Sequence, residues 1–274
     1  MSVPERIFRL GRRLPVGAAD GFAHAVAPVA GRLPLPALRQ WRDNVQRVTG
    51  TRPGAAQTRL VVERWMRNNL WSMSLGRWSD EQVLGRVAIT DEHVDRLRTS
   101  LAGPGLVLAL PHMGSWDFAG AWCARVGIQV VSVAERLPQG LFERFRDARA
   151  AMGMTIYATD EPDLFRKLSD DVAAGRLVCL LADRDLSRRG VEVTWPTGQR
   201  STMPPGPALL ARRTGADLRV TTTHFGRRDV RLAVSDTVPT DGGPAATTQR
   251  LADRFATAIA DDPANWLVLQ PLVR

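Results

Sequence analysis

Lysine is all but missing from this chain: of 37 basic residues one, Lys167, is lysine and the rest are arginines. Cysteine and tyrosine are nearly as scarce, at two and one. Cys123 and Cys179 lie in apolar runs rather than in a spaced set, which excludes a disulfide framework and reads as reduced core thiols. Neither sits in the electropositive, exposed setting that makes a thiol reactive, so no cysteine nucleophile is expected. No apolar run reaches the roughly 18 residues needed to span a bilayer. Zinc-finger spacing and aromatic-rich RNA-recognition strands are also absent, so nucleic acid is not the expected partner.

What is present points elsewhere. With 28 acidic residues against 37 basic ones, the net charge is +9, which suits an anionic bilayer or an anionic substrate. Guanidinium groups offer paired donors to phosphate, although a GC-rich coding bias would produce the same skew toward arginine. A length of 274 residues and 44% hydrophobic content fit one globular domain, 1–274, and a monomer is expected. At the start, Arg6, Arg9, Arg12 and Arg13 interrupt any signal-peptide core. The segment reads as retained and cytoplasmic, a short basic amphipathic helix with Ile7, Phe8 and Leu10 on its apolar side. It is suited either to a headgroup layer or to docking on the body.

Helices are expected over 17–33, 38–49 and 57–78, so that 1–100 forms a helical, membrane-facing lobe. The tryptophans of the third, Trp65, Trp71 and Trp78, read as packing residues, with an interfacial aromatic belt as the alternative. From Gly103 the texture changes. Apolar runs at 106–110, 128–134 and 177–182 read as buried strands, joined by shorter strands at 155–158, 218–224, 230–234 and 266–269. Helices are predicted between them at 116–126, 141–152, 162–174, 205–214 and 245–260. This alternation predicts an α/β fold over 101–274, with a mostly parallel central sheet flanked by helices.

Ligands of open α/β sheets bind beyond the carboxyl ends of the strands. Here three strand ends carry chemistry: Pro111-His112, Glu135-Arg136, and Asp183-Arg184-Asp185. A histidine held by a carboxylate is the simplest general base near neutral pH. The spacing His112-Met-Gly-Ser-Trp-Asp117 lets Gly114 turn the chain back so that Asp117, in the first helical turn, reaches the ring. N–H groups at that helix start also suit an oxyanion.

The run Pro111-His-Met-Gly-Ser-Trp-Asp117 resembles the first motif of the lysophospholipid acyltransferase superfamily. The closer likeness is to its branch of bacterial lipid A biosynthesis (lauroyl/myristoyl) acyltransferases and phosphatidylinositol mannoside acyltransferases. Val133-Ala-Glu-Arg-Leu137 is similar to the second block of that branch. Leu181-Ala-Asp-Arg-Asp-Leu186, with Gly190-Val-Glu-Val193 and Met203 to Leu210, is similar to the third. Pro263-Ala-Asn-Trp-Leu-Val-Leu-Gln270 is similar to the closing segment. The likeness covers essentially the whole chain, and the Ala-Glu-Arg-Leu and Asp-Arg-Asp-Leu blocks look most like the actinobacterial mannoside acyltransferases.

That resemblance implies a glycerol-phosphate-acyltransferase-like fold and an acyl-CoA co-substrate, palmitoyl-CoA being the usual one. It implies a mannosylated phosphatidylinositol as the membrane glycolipid acceptor, no metal and no further cofactor. Peripheral attachment to the cytoplasmic face of the plasma membrane, with its anionic inner leaflet, goes with it. By position, His112 would deprotonate the acceptor hydroxyl, Asp117 would orient His112, and Asp183 would fill an acidic position that is often Glu. Arg149 matches an arginine expected near the donor thioester. Glu135, Arg136, Arg184 and Asp185 would contact substrate at the strand ends. Arg189 and Arg213, where relatives carry shorter or acidic residues, would pair with CoA phosphates.

Two other readings stand beside this one. Asp183 and Asp185 form an Asp-x-Asp pair of the kind that holds a divalent ion in a nucleotide-sugar-dependent glycosyltransferase. A non-catalytic lipid-binding module would use the arginines for headgroups and leave the His–Asp pair idle.

Overall fold

The computed structural model describes residues 16–136, 140–185 and 189–272. The basic segment at 1–14, and Leu137 and Leu186 of the motif blocks, lie outside the described residues. Three helices open the described chain: α1 (Val16–Ala30), α2 (Pro36–Thr49) and α3 (Ala55–Ser74). Alanines at a four-residue spacing, Ala19, Ala23 and Ala27, are buried and let α1 lie close against α3. Next come α4 (Asp80–Leu84), capped by the Ser79 side chain, a two-residue strand β1 (Val87–Ala88), and α5 (Asp91–Ala102).

The core alternates β2 (Leu106–Leu110), α6 (Trp116–Arg125), β3 (Val130–Ala134), α7 (Leu141–Ala150), β4 (Met154–Ala158), α8 (Leu164–Ala173) and β5 (Leu177–Leu181). It continues with β6 (Val191–Thr194), β7 (Arg200–Met203), α9 (Gly206–Thr214), β8 (Asp217–Phe225), β9 (Val230–Thr237) and α10 (Gly243–Asp261). Seven strands form one sheet in the order β1-β9-β8-β2-β5-β3-β4. The pair β8–β9 is antiparallel and every other neighbouring pair is parallel, so the expected α/β architecture with a mostly parallel sheet is what the chain adopts.

Two sequence expectations change. Residues 266–269 form no strand; a short 3-10 turn, Pro263–Asn265, leads into an extended stretch joined to the sheet region by a single bridge between Met113 and Trp266. Its backbone groups bond instead to the loop after β2, as Leu267 N–H donates to the His112 carbonyl at 2.8 Å. In addition, β6 and β7 pair as a separate antiparallel hairpin, where the sequence showed only a motif.

Each face of the sheet buries its own apolar cluster. Odd-numbered positions of β2 (Val107, Ala109) point toward α2, α9 and α10, and even-numbered ones (Leu106, Leu108, Leu110) toward α6. The helical lobe is tied into the second cluster through aromatic rings. Trp71 of α3 lies 5.1 Å from Phe118 of α6 and 5.4 Å from Phe225 of β8, and 5.0 Å from Trp78. Trp71 and Trp78 are therefore packing residues, whereas Trp65 stays 43% exposed.

Candidate active site

Register alone explains the centre of the site. β2 and β5 are parallel neighbours with Leu110 opposite Leu181, so residues two positions beyond each, His112 and Asp183, face one another. The His112 ring Nδ1 lies 2.5 Å from Asp183 Oδ1, and the His112 backbone N–H donates to Asp183 Oδ2 at 2.8 Å. An ionised carboxylate can only accept, so this contact assigns the ring proton to Nδ1 and leaves Nε2 with its lone pair. Nε2 has no protein partner among the described residues. The ring is further fixed by an edge-to-face contact with Trp116, centroids 5.3 Å apart.

Asp183 is fully buried, and burial works against its charge. The pairing with the His112 ring, and hydrogen bonds from that ring, from Trp266 and from the His112 backbone, outweigh this and hold the carboxyl below the usual range. The Trp266 indole N–H donates to Asp183 Oδ2 at 2.7 Å, so both carboxylate oxygens are already engaged. The glycosyltransferase reading needs Asp183 open to a cation, and this arrangement disfavours it. Among the described residues no group of three metal-ligating side chains forms.

Asp117 does not hold His112, contrary to the expectation from spacing. It sits in the first turn of α6 and accepts a bidentate pair from Arg149 of α7, Nε to Oδ1 at 2.7 Å and Nη2 to Oδ2 at 3.0 Å. The reason is directional. The helix carries Asp117 past the ring toward α7, while the neighbouring strand delivers Asp183 at the level of His112. Burial tends to discharge Arg149, but the Asp117 carboxylate more than compensates and raises its pKa.

His112, Asp117 and Arg149 open onto a cavity of about 610 Å³. Its walls run from Met154 on β4, past Cys179 on β5 and Leu108 on β2, to Leu232 on β9 and Leu97 on α5. Six adjacent strands contribute, which at about 4.8 Å per step spans roughly 24 Å. Cys123 and Cys179 also line it; burial pushes the Cys123 thiol up to about 12 and the Cys179 thiol well above its ordinary value, so both behave as apolar wall residues.

The remaining expected site residues divide. Glu135, Arg184 and Asp185 line the polar end of the cavity, and Asp185 also accepts the Gly190 N–H at 2.8 Å, bracing the chain into β6. Arg136 turns away: it pairs with Asp160 at 2.9 Å and lies over the Phe142 ring. Arg213 is exposed in the last turn of α9, whereas that helix meets the cavity through its first turns, at Gly206, Pro207 and Leu210. Arg189 is exposed and is not part of the cavity wall.

Sequence reasoning missed Asn265, Trp266 and Thr223. Asn265 accepts the Gly114 N–H on its carbonyl and the Phe225 N–H on its side chain, and the Thr223 hydroxyl donates to the Met113 carbonyl at 2.5 Å. The closing motif at 263–270 was the available signal, but nothing in its pattern says which strand end it braces.

Comparison with known proteins identifies the family. The model of the bacterial lipid A biosynthesis acyltransferase family matches residues 6–274. A phosphatidylinositol mannoside acyltransferase of Mycobacterium tuberculosis is 40% identical over 242 residues, covering 85% of this chain and 76% of that protein. The enzyme of that name from Mycolicibacterium smegmatis is 37% identical over 277 residues, covering 96% and 88%. A family match over nearly the whole length, on a sheet whose strand ends carry the His112–Asp183 pair above an apolar cavity, means that this chain belongs to the bacterial lipid A biosynthesis acyltransferase family.

Proposed function

We propose that this chain moves a long acyl group, with palmitoyl the expected one, from acyl-CoA to a mannose hydroxyl of a phosphatidylinositol mannoside. The observation that carries this reading is a half-buried histidine held by a fully buried carboxylate, lining an apolar cavity that crosses the sheet, with no partner on its Nε2 among the described residues. The relatives' names supply the acceptor class.

In this mechanism Nε2 of His112 takes the proton of the acceptor hydroxyl as its oxygen attacks the thioester carbonyl. Asp183 keeps the ring in the required tautomer and stabilises the imidazolium. The tetrahedral oxyanion faces the N–H groups of the first turn of α6, which lack intrahelical partners. Its collapse expels the CoA thiolate, which recovers the proton from His112. Asp117 acts by holding Arg149 beside the reacting carbonyl, and Glu135, Arg184 and Asp185 meet the polar parts of the substrates. The acyl chain fills the cavity, whose volume lies inside the range of about 300–1,000 Å³ usual for ligand sites.

Catalysis then takes place on the cytoplasmic face of an anionic membrane, where Phe22, Val29, Leu33, Leu35 and Trp65 present exposed apolar groups on the helical lobe. The test is a His112→Ala variant assayed for CoA release from palmitoyl-CoA in the presence of acceptor. Folding should be retained and transfer lost by about 10²–10⁴-fold. Release at the wild-type rate would refute the assignment.

A further inference from the structure

A second pocket, sharing no wall residue with the catalytic cavity, lies where α1, α2 and α3 meet. It has a volume of about 410 Å³ and is lined by Arg32, Arg42 and Arg59 together with the start of α3. The three guanidinium groups have no carboxylate partner among the described residues. The one hydrogen bond of Arg32 goes to the Pro28 carbonyl at 3.0 Å, and Arg42 Nε is buried without any partner. Arg32 and Arg59 are exposed and Arg42 is half-buried, and three like charges gathered without counter-charge raise the local positive potential, which makes the pocket a place for an anion.

The backbone adds to the same field. α3 is 20 residues long and has no acidic residue in its first turn, so its leading N–H groups and positive dipole end are not neutralised by the chain. Arginine suits the tetrahedral oxygens of a phosphate, which it meets in paired fashion.

The surroundings indicate what carries that phosphate. Val29 at the end of α1 is 65% exposed, and Leu33 and Leu35, in the turn to α2, are 48% and 43% exposed. Pro34 and Pro36 are exposed between and beside them, and Leu60 follows Arg59 at 42%. An arginine pocket whose neighbours along the chain are exposed aliphatic side chains matches a lipid, in which phosphate and hydrocarbon are joined, better than a free ion.

We infer that this pocket seats the headgroup phosphate of an anionic phospholipid, with the 33–36 turn entering the boundary of the acyl layer. The inference deepens the membrane-surface reading given above by naming the residues and the chemistry that hold the bilayer. It does not depend on catalysis, because binding is read with no donor present, and its failure would leave the acyl-transfer proposal standing.

The experiment is cosedimentation of the full chain with phosphatidylcholine vesicles, with and without phosphatidylinositol. Three variants are compared with wild type: Arg32→Gln/Arg42→Gln/Arg59→Gln, Leu33→Ser/Leu35→Ser, and the charge-matched control Arg200→Gln/Arg227→Gln/Arg228→Gln. Circular dichroism and melting establish that each is folded. Near an anionic surface each arginine contributes roughly a fivefold affinity factor, so the pocket triple should lose about a hundredfold in binding to the anionic vesicles. The control should stay near wild type, and the leucine pair should also bind more weakly. Equal losses in pocket triple and control, or no loss in the pocket triple, would overturn the proposal. So would a thermal shift with inorganic phosphate that the pocket triple abolishes while vesicle binding is unchanged, since that marks a free-phosphate site.

Discussion

At the scale of single residues, Asp183 depends on three N–H donors: the His112 backbone, the His112 ring, and the Trp266 indole. The first two belong to the group it serves. Trp266, fully buried, is the only one of the three that holds the carboxylate from outside, which makes it a positioning residue. Trp266→Phe keeps most of the packed volume and removes one hydrogen bond to a charged acceptor, worth about 1.5–3 kcal/mol. Turnover should fall roughly ten- to a hundredfold, in kcat more than in KM, with only a modest drop in melting temperature. The Trp266 bond helps keep the Asp183 carboxyl low, so its loss raises that pKa and moves the acid limit of activity to higher pH. An unchanged pH–rate profile would mean that Trp266 only fills space.

At the scale of elements, the turn between β2 and α6 is what aims His112. It is clamped by Gly114 N–H to the Asn265 carbonyl at 2.9 Å, and by Leu267 N–H to the His112 carbonyl at 2.8 Å. Gly114 has a φ of 56°, and a Cβ there would run into the Thr223 backbone of β8. Gly127, at the turn after α6, has a φ of 83° with open space around it. Both changes to alanine carry left-handed strain of about 1–2 kcal/mol. Only Gly114→Ala adds a collision with another strand. Urea unfolding should therefore show a larger loss for Gly114→Ala, and acyl transfer should collapse in that variant while Gly127→Ala keeps it. Equal activities would show that the turn tolerates displacement.

At the scale of the whole molecule, acid sensitivity follows from partnered carboxylates, Asp183 fully buried and Asp262 half-buried, that tie distant segments together. Asp262, just past α10, takes a hydrogen bond from Arg64 of α3 at 2.6 Å and another from Asn265 at 2.5 Å. Burial opposes its charge, but His224, Arg64 and Asn265 together lower its pKa to about 2. Asp183 is shifted the same way. Since these folded-state values lie below the unfolded value of about 3.9, the stabilisation is fully present above that pH. It is lost as pH falls toward about 2 in the case of Asp262. Melting temperature should thus be nearly flat above about pH 5 and fall steeply below about pH 4. Asp262→Asn should melt lower at neutral pH and lose part of that acid slope; an unaltered slope would remove Asp262 from the account.

The same three scales separate what the chain states locally from what it states only when folded. Apolar runs such as 106–110 and 177–181, bounded by glycine, proline or charge, determine strands buried on both faces, and the residues that follow them determine the chemistry at one sheet edge. The ordered motif blocks determine the family. Which carboxylate holds His112 was not legible, because strand order and register are set by burial between segments 70 residues apart. Five residues of spacing favoured Asp117, and the adjacency of β2 and β5 decided for Asp183. The same cause turned Arg136 toward Asp160, left Arg213 at the far end of α9, and made 266–269 an extended brace instead of a strand. Local sequence fixes where a side chain leaves its element. Only the packed sheet fixes what it meets, since that depends on which distant faces exclude water together.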